Sequence, residues 1–230
     1  PLAAPYRLRT GGSAAAYANL HMKTYGTTSE QLAEIAVTMR QHATLNPLAK
    51  MRNPITIDDV LTSRMISRPL HLLDCCIISD GGGAVVVTSL DHARDLRKKP
   101  VQILGCGEAV QHQGVGYSDI LSIAAKQSGA KALQMAGVQH SDIDLAMIYD
   151  SFTITVLATL ENLGFCPVGE DDFEFLVAVD AAHHATTPLE RQGSLLVRDH
   201  LHDVSLRYLP VEARQCRRLL AYCLQPRRVV

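Results

Sequence analysis

The sequence has no excess of charge of either sign, since 22 basic and 23 acidic side chains give a formal net charge of −1. A balanced charge leaves no strong field with which to hold nucleic acid or an anionic membrane surface. The sequence also lacks any apolar run near the roughly 20 residues that a membrane-spanning helix needs. We therefore expect neither a nucleic-acid partner nor a membrane span. The 47% of hydrophobic residues among 230 is typical of a globular protein with a core.

Cysteine spacings typical of zinc sites or disulfide frameworks are absent as well. The six cysteines are scattered along the chain, and a bridge between the adjacent Cys75 and Cys76 would be strained. This usage favours a reducing, cytoplasmic compartment. The chain begins with Pro1, without methionine or a leader pattern, so we expect a processed protein or, more simply, a fragment of a longer chain.

Residues 1–73 are predicted to form helices separated by irregular loops. The alanine-rich stretch "SAAAYANLHMKTYG" predicts a helix that stops at Gly26. Two later helices are predicted to begin at capping boxes, one formed by Thr28 and Gln31 and the other by Thr56 and Asp59.

The pattern changes after residue 73. β-Branched residues on both sides of Gly81, Gly82 and Gly83 predict a strand that another backbone approaches closely. The stretches "VQILGCGEA" and "DIDLAMIYD" predict two more strands, with a helix between them that presents Ile123, Ala130, Leu133 and Gly137 along one side. Strands alternating with helices predict an α/β fold with parallel pairing. The glycine spacing matches no phosphate-binding motif, so a structural role is favoured.

The third predicted strand ends in "MIYDSF", on Tyr149 and Asp150. Ligands of open α/β sheets lie at the carboxyl ends of strands. A phenol is neutral at pH 7, so it could polarise a carbonyl group or take a proton from a hydroxyl group. The second task needs a neighbour that lowers the phenol pKa. The alternative is a half-buried tyrosine whose hydroxyl is satisfied by backbone, and Asp150 is predicted to cap the next helix.

Other candidates carry weaker signals. His71 and Met65 could line an acyl-binding site, although a satisfied, partly buried histidine is the favoured account of His71. Phe152, the last residue of "MIYDSF", is a further candidate for substrate contact. Cys106 in "GCGEA" is predicted to be a small buried residue, because nothing next to it would activate a thiol. The histidine pairs at 183–184 and at 200 and 202 lack a third ligand, so no metal site is predicted.

Several ordered stretches resemble the thiolase superfamily. "SDGGGAVVVTSLDHARDLRKKPVQILGCGEA" resembles the end of the first half of that fold, and "AKALQMAGVQHSDIDLAMIYDSFTITVLATLENLGFCPVGE" resembles the start of the second. "RMISRPLHLLDCC" and "LGFCPVGE" are most similar to sterol-carrier-protein-type and lipid-transfer-protein-like thiolases, which include steroid side-chain aldolases. The resemblance covers about residues 6–170.

The resemblance implies an incomplete thiolase-like fold. Residues 74–110 would close its first half, residues 111–170 would open its second half, and residues 171–230 would form a divergent tail of unknown structure. It implies an acyl-CoA substrate, with coenzyme A as part of the substrate and no separately bound cofactor. It also implies a homodimer and, as in the steroid aldolases, a small OB-fold partner.

One departure from the family pattern bears on the reaction. Ordinary thiolases have Asn-Glu-Ala-Phe, and sterol-carrier-type thiolases His-Asp-Cys-Phe, where this chain has the four residues from Tyr149 to Phe152. The change disfavours the standard Claisen mechanism. It favours the relatives that cleave a carbon–carbon bond by a retro-aldol step, with Tyr149 as the catalytic residue. A conventional acetyl-CoA acyltransferase and a non-catalytic lipid-binding or partner-binding protein remain the alternatives.

The last sixty residues differ in composition from the rest. They contain no lysine and one glycine, Gly193, and they lack the glycine-rich segments that the family carries there. A shifted reading frame would produce such a break. We expect the sheet of the second half to lack strands, and the chain alone to be poorly stable or dependent on a partner.

Overall fold

The computed structural model describes residues 10–78, 84–97, 101–111, 119–143 and 145–169, and the backbone of 195–196 and 220–221. Gly81, Gly82, Gly83 and the two histidine pairs lie outside these ranges. The helices are α1 (Thr10–Tyr25), α2 (Ser29–Leu45), α3 (Ile57–Thr62), α4 (Leu90–Arg94), α5 (Ala125–Ala136) and α6 (Thr153–Leu163). The strands are β1 (Met65–Ser67), β2 (Leu70–His71), β3 (Leu145–Met147), β4 (Leu195–Leu196) and β5 (Leu220–Ala221). Short 3₁₀ turns span Leu72–Asp74 and His140–Asp142.

The predicted ends of the N-terminal helices are confirmed. Helix α1 stops before Gly26, whose φ of 86° is a left-handed conformation that glycine adopts easily. At the start of α2, the Gln31 amide donates to Thr28 Oγ1 at 3.3 Å, and the Thr28 amide donates back to Gln31 Oε1 at 2.5 Å. Thr56 and Asp59 form the same reciprocal box before α3. These signals are local, so the sequence suffices to predict them.

The first two predicted strands are wrong. Residues 84–89 and 101–111 form no strand, and no strand pairing in the described ranges involves them. Residues 101–111 lie against α5 instead, since a methyl group on Gly105 would overlap the Ala132 carbonyl and one on Gly107 the Ser128 carbonyl. A strand requires a hydrogen-bonded neighbour, and β-branched composition alone cannot supply one.

The third predicted strand is confirmed, in a shorter form. Strand β3 pairs in parallel with β4 on one side and with β5 on the other. Both neighbours belong to residues 171–230, so this sheet does have strands where they were predicted to be missing. Ala146 and Ile148 lie on the same side of the chain and are buried, whereas Met147 between them is only partly buried.

Helix α5 begins later than predicted and turns a different face inward. Its buried residues are small, apart from one leucine: Ala125, Ser128, Gly129, Ala132 and Leu133. Ala130 is exposed, so its predicted place on the buried side is wrong. The small face allows residues 101–111 to approach on one side and Leu163 of α6 to contact Gly129 on the other. Close backbone approach, and not side-chain size, decides which face is buried.

The main core lies between α1, α2, β3 and α6. Its most buried members are Ala18, Ile35, Leu70, Ile154, Val156 and Leu160. A smaller cluster of Ala33, Ala36, Val37 and Val60 joins α2 to α3. Among the described helices, none has both the length and the apolar character needed to cross a membrane. This packing fixes the loop between β3 and α6, which carries Tyr149.

A buried polar pair ties α1 to α6 within this core. His21 is completely buried, and its Nε2 lies 3.0 and 3.1 Å from the two carboxylate oxygens of Glu161. His21 Nδ1 lies 2.8 Å from Thr27 Oγ1, and the amide of Gly169 donates to Glu161 Oε1 at 2.9 Å. The 140 residues between histidine and glutamate explain why no sequence pattern pointed to the pair.

Candidate functional site

Tyr149 lies in the loop between β3 and α6, two residues after the strand ends. Its ring is neither packed in the interior nor fully free, since 46% of the residue is exposed. No group in the described ranges hydrogen-bonds its hydroxyl. The alternative of a hydroxyl satisfied by backbone is therefore not seen in this part of the chain.

The surroundings of Tyr149 favour the protonated form of its phenol. Partial burial raises the pKa of the phenol above its ordinary value, and the nearby Cys76 thiol and Asp150 carboxyl add to the rise. Each of these influences disfavours the phenolate. A raised pKa suits a hydrogen-bond or proton donor better than a base.

His71 and Met65 face each other across a short hairpin. Strands β1 and β2 are antiparallel, with Met65 paired to His71. Met65 is 46% exposed, whereas only 13% of the His71 side chain is exposed. The hairpin therefore offers an accessible thioether beside a largely buried imidazole, and their predicted substrate contact stays a prediction.

Asp74 joins this hairpin to the loop of Tyr149. Its Oδ1 accepts a hydrogen bond from Thr153 Oγ1 at 2.9 Å, and its Oδ2 accepts from the His71 amide at 2.8 Å. The two residues after Asp74 also contact the loop. Cys75 forms an isolated antiparallel β-bridge with Phe152, and the Cys76 amide donates to the Ser151 carbonyl at 3.1 Å. No sequence pattern pointed to Asp74, whose bond to Thr153 spans 79 residues.

The N-cap of α6 differs from the predicted one. Phe152 is the N-cap residue, so the helix begins two residues later than a cap at Asp150 requires. Thr155 Oγ1 accepts from the Phe152 amide at 3.0 Å and lies 3.0 Å from Ser151 Oγ. Phe152 packs against the main core and Asp150 is buried. Phe152 therefore turns toward the core, and its contact with substrate stays a prediction.

A small cavity lies next to this loop. Its volume of about 20 Å³ is lined by residues of α2, the 72–75 turn and the start of α6, among them Met39, Asp74, Asp150 and Thr153. Such a volume holds about one water molecule. Tyr149 does not line it, so a ligand reaching the phenol would approach from the open surface.

Cys75 and Cys166 are not activated nucleophiles. Burial, with Asp74 and Cys76 nearby, raises the pKa of Cys75 to about 11. Burial and Glu161 raise the pKa of Cys166 to about 12, and Cys166 packs against the core as predicted. Cys106 is exposed and contacts the Met135 sulfur, so its predicted burial is wrong. No cluster of three His, Cys, Asp or Glu side chains suited to a metal occurs in the described ranges.

Comparison with known proteins places this arrangement in a family. The family model described as "Thiolase C-terminal domain-like" matches residues 107–226. The match runs past residue 170, where the resemblance was predicted to end, and that limit is corrected accordingly. The predicted domain boundaries themselves stay predictions.

Individual relatives agree with the family match. A steroid side-chain-cleaving aldolase of Thermomonospora curvata is 38% identical over 209 residues, covering 87% of this chain and 53% of the relative. An acetyl-CoA acetyltransferase of Methanothermobacter thermautotrophicus is 35% identical, covering 80% of this chain and 48% of the relative. A solved structure described as "Ltp2-ChsH2(DUF35) aldolase" is 42% identical with a TM-score of 0.70, covering 76% of this chain and 47% of that one.

The chain spans about half the length of these relatives. Within that span the fold is mixed α/β, with the parallel strand β3 and the helices on either side of it in sequence. The chain belongs to the thiolase superfamily and carries that superfamily's C-terminal domain-like region.

Proposed function

We propose that this chain is part of an enzyme that cleaves a carbon–carbon bond in a β-hydroxyacyl-CoA thioester derived from a lipid or sterol. The observation that carries the proposal is Tyr149, a half-exposed phenol at the carboxyl end of β3 whose hydroxyl has no hydrogen-bond partner in the described ranges. Open α/β sheets bind ligands at this edge. The 38% identity to a steroid side-chain-cleaving aldolase supports the same reaction class.

The proposed reaction is a retro-aldol cleavage. The β-hydroxyl passes its proton to solvent water and becomes a carbonyl group, while the bond between the α and β carbons breaks. The electron pair of that bond passes into the thioester as an enolate, which is then protonated to give the shortened acyl-CoA. Because the raised pKa keeps the Tyr149 phenol protonated, we assign it the donor role, in which it stabilises the developing enolate oxygen or supplies the final proton.

Cofactor and partners remain proposals. We propose that coenzyme A enters as part of the substrate and that no other cofactor is needed, since every bond change lies within the thioester. A homodimer and a small OB-fold partner are proposed by family resemblance, and the paired name of the solved relative, "Ltp2-ChsH2(DUF35) aldolase", supports a partner. A cytoplasmic location is proposed from cysteine usage alone.

A second candidate is acyl transfer between CoA thioesters. The 35% identity to an acetyl-CoA acetyltransferase favours it. Tyr149 disfavours it, because a phenol stands where the resemblance implies asparagine or histidine. A chain that only binds lipid or a partner would need no such hydroxyl.

The Tyr149→Phe variant separates these functions when it is made in the complete enzyme with any partner subunit that it requires. For retro-aldol cleavage we expect kcat to fall by about 100-fold or more, with the dissociation constant of acyl-CoA unchanged. If the enzyme is instead an acyltransferase, we expect Tyr149→Phe to transfer acyl groups at nearly the wild-type rate. Tyr25→Phe is the matched control, since Tyr25 is 37% exposed and remote in sequence from the loop.

A further inference from the structure

We propose that Asp74 is a positioning residue for Tyr149, acting through Thr153. This inference rests on the proposed function and adds the residue that holds the phenol in place. Asp74 is only 5% exposed, and it lies on a different segment of the chain from the loop that it holds.

The first step is the division of the carboxylate between two segments. One oxygen accepts from Thr153 Oγ1 at 2.9 Å and the other from the His71 amide at 2.8 Å. Hydrogen bonds to an ionised acceptor in a buried place are stronger than those between neutral groups. The same carboxylate therefore fixes both the end of the β1–β2 hairpin and the first residue of α6.

The second step concerns what these bonds restrain. Tyr149 is four residues before Thr153, in a loop anchored at one end by β3. The other end is held at Thr153 by Asp74 and at Ser151 by the Cys76 amide, which donates at 3.1 Å. With both ends held, the backbone that carries the phenol is restrained relative to the Met65–His71 hairpin. Loss of the Thr153 bond removes one of the two contacts that hold the helix end of the loop and so loosens it.

The third step is the contrast with another buried threonine of α6. Thr159 is also buried, but its hydroxyl donates to the Thr155 carbonyl within the same helix. Its bond therefore stays inside α6 and does not reach toward the hairpin. Thr153 and Thr159 thus offer the same chemical change at two places, of which the first is the one bonded to Asp74.

The test compares Thr153→Val, Thr153→Ser and the control Thr159→Val in the complete, active enzyme. A small misplacement of a catalytic group costs rate more than binding, so we expect Thr153→Val to lower kcat by about tenfold or more with KM unchanged. Thr153→Ser keeps the hydroxyl and should restore most of kcat. Thr159→Val should leave kcat near wild type.

A combination with Tyr149→Phe shows whether the effect passes through the phenol. Thr153→Val should cost almost nothing further in the Tyr149→Phe background, because the group that it positions is already gone. Equal losses in both backgrounds, or equal losses from Thr153→Val and Thr159→Val, would overturn the inference. If Tyr149→Phe keeps full activity, the proposed function is wrong. If Tyr149→Phe loses activity but Thr153→Val does not, only the positioning role of Asp74 is wrong.

Hydrogen exchange gives a readout that does not depend on turnover. In Thr153→Val the amides of residues 149–153 should exchange faster than in wild type, while Thr153→Ser and Thr159→Val keep the wild-type rate. Unchanged exchange in Thr153→Val would show that Asp74 does not hold this loop.

Discussion

At the scale of single residues, the proton on Tyr149 decides what the site can do. Burial, Cys76 and Asp150 all raise the pKa of the phenol. A group with a raised pKa stays protonated to higher pH, so a reaction that needs the phenol proton keeps its rate through the range where an ordinary tyrosine begins to ionise. If Tyr149 is the donor that we propose, its environment should extend the alkaline limit of activity.

The pH dependence of kcat/KM checks this directly. We expect no alkaline loss due to Tyr149 below pH 10, the ordinary pKa of tyrosine, and a decline above it. In Tyr149→Phe the residual rate should lack that decline. A base would behave in the opposite way, with a rate that rises as the phenol ionises, and such a rise would contradict the donor role.

The His21–Glu161 pair makes a second prediction at the residue scale. His21→Phe keeps an aromatic ring beside Tyr17, which stacks on His21 at 6.2 Å, but it removes one partner of a buried carboxylate. Leaving a buried carboxylate without this hydrogen-bond partner should lower the free energy of unfolding by about 1–3 kcal/mol, measured by urea denaturation. His92→Phe, at an exposed position, is the control, and equal effects of the two changes would refute a special role for the pair.

At the scale of elements, local signals predicted the structure well and non-local ones did not. The capping boxes at Thr28 and Thr56 formed as predicted, because each lies within four residues of its helix start. The strands predicted around Val86 and Ile103 are not seen in the described ranges. Strand formation depends on a partner strand elsewhere in the chain, which the local sequence pattern does not identify. Asp74 was missed for the same reason, since its partner Thr153 is distant in sequence. Tyr149 could be found because it ends a recognisable apolar run.

Helix α5 and residues 101–111 form an element pair that depends on glycine. A methyl group on Gly107 would overlap the Ser128 carbonyl, so Gly107→Ala should cost about 1–3 kcal/mol of stability through overpacking. Gly11→Ala, in α1 with nothing within 4 Å of the new methyl, should instead stabilise the chain by up to about 1 kcal/mol. Opposite shifts in thermal midpoint are the expected result, and a harmless Gly107→Ala would show that the segment does not pack on α5.

At the scale of the whole molecule, two described segments leave large apolar side chains exposed. Val85 is 89% exposed, Val86 92% and Val110 88%, and they belong to segments without strand partners in the described ranges. Exposed apolar segments of this kind promote association. The chain spans about half of its relatives, and we expect it to self-associate or to depend on a partner when prepared alone.

Lysine substitutions test this expectation. Val86→Lys combined with Val110→Lys should shift the chain toward monomer in light scattering and reduce its binding of a hydrophobic dye, because the charges oppose edge-to-edge contact. The unfolding midpoint should change little, since both positions are exposed. A wild-type chain that is already monomeric and binds no dye would contradict the expectation.

The most direct test of the central claim is the rate of carbon–carbon cleavage by the complete enzyme at saturating β-hydroxyacyl-CoA, for wild type and Tyr149→Phe. The account predicts that the variant binds the thioester normally and releases the carbonyl product about 100-fold more slowly or worse. Cleavage by Tyr149→Phe at the wild-type rate would show that the phenol at the end of β3 is not the group that carries the reaction.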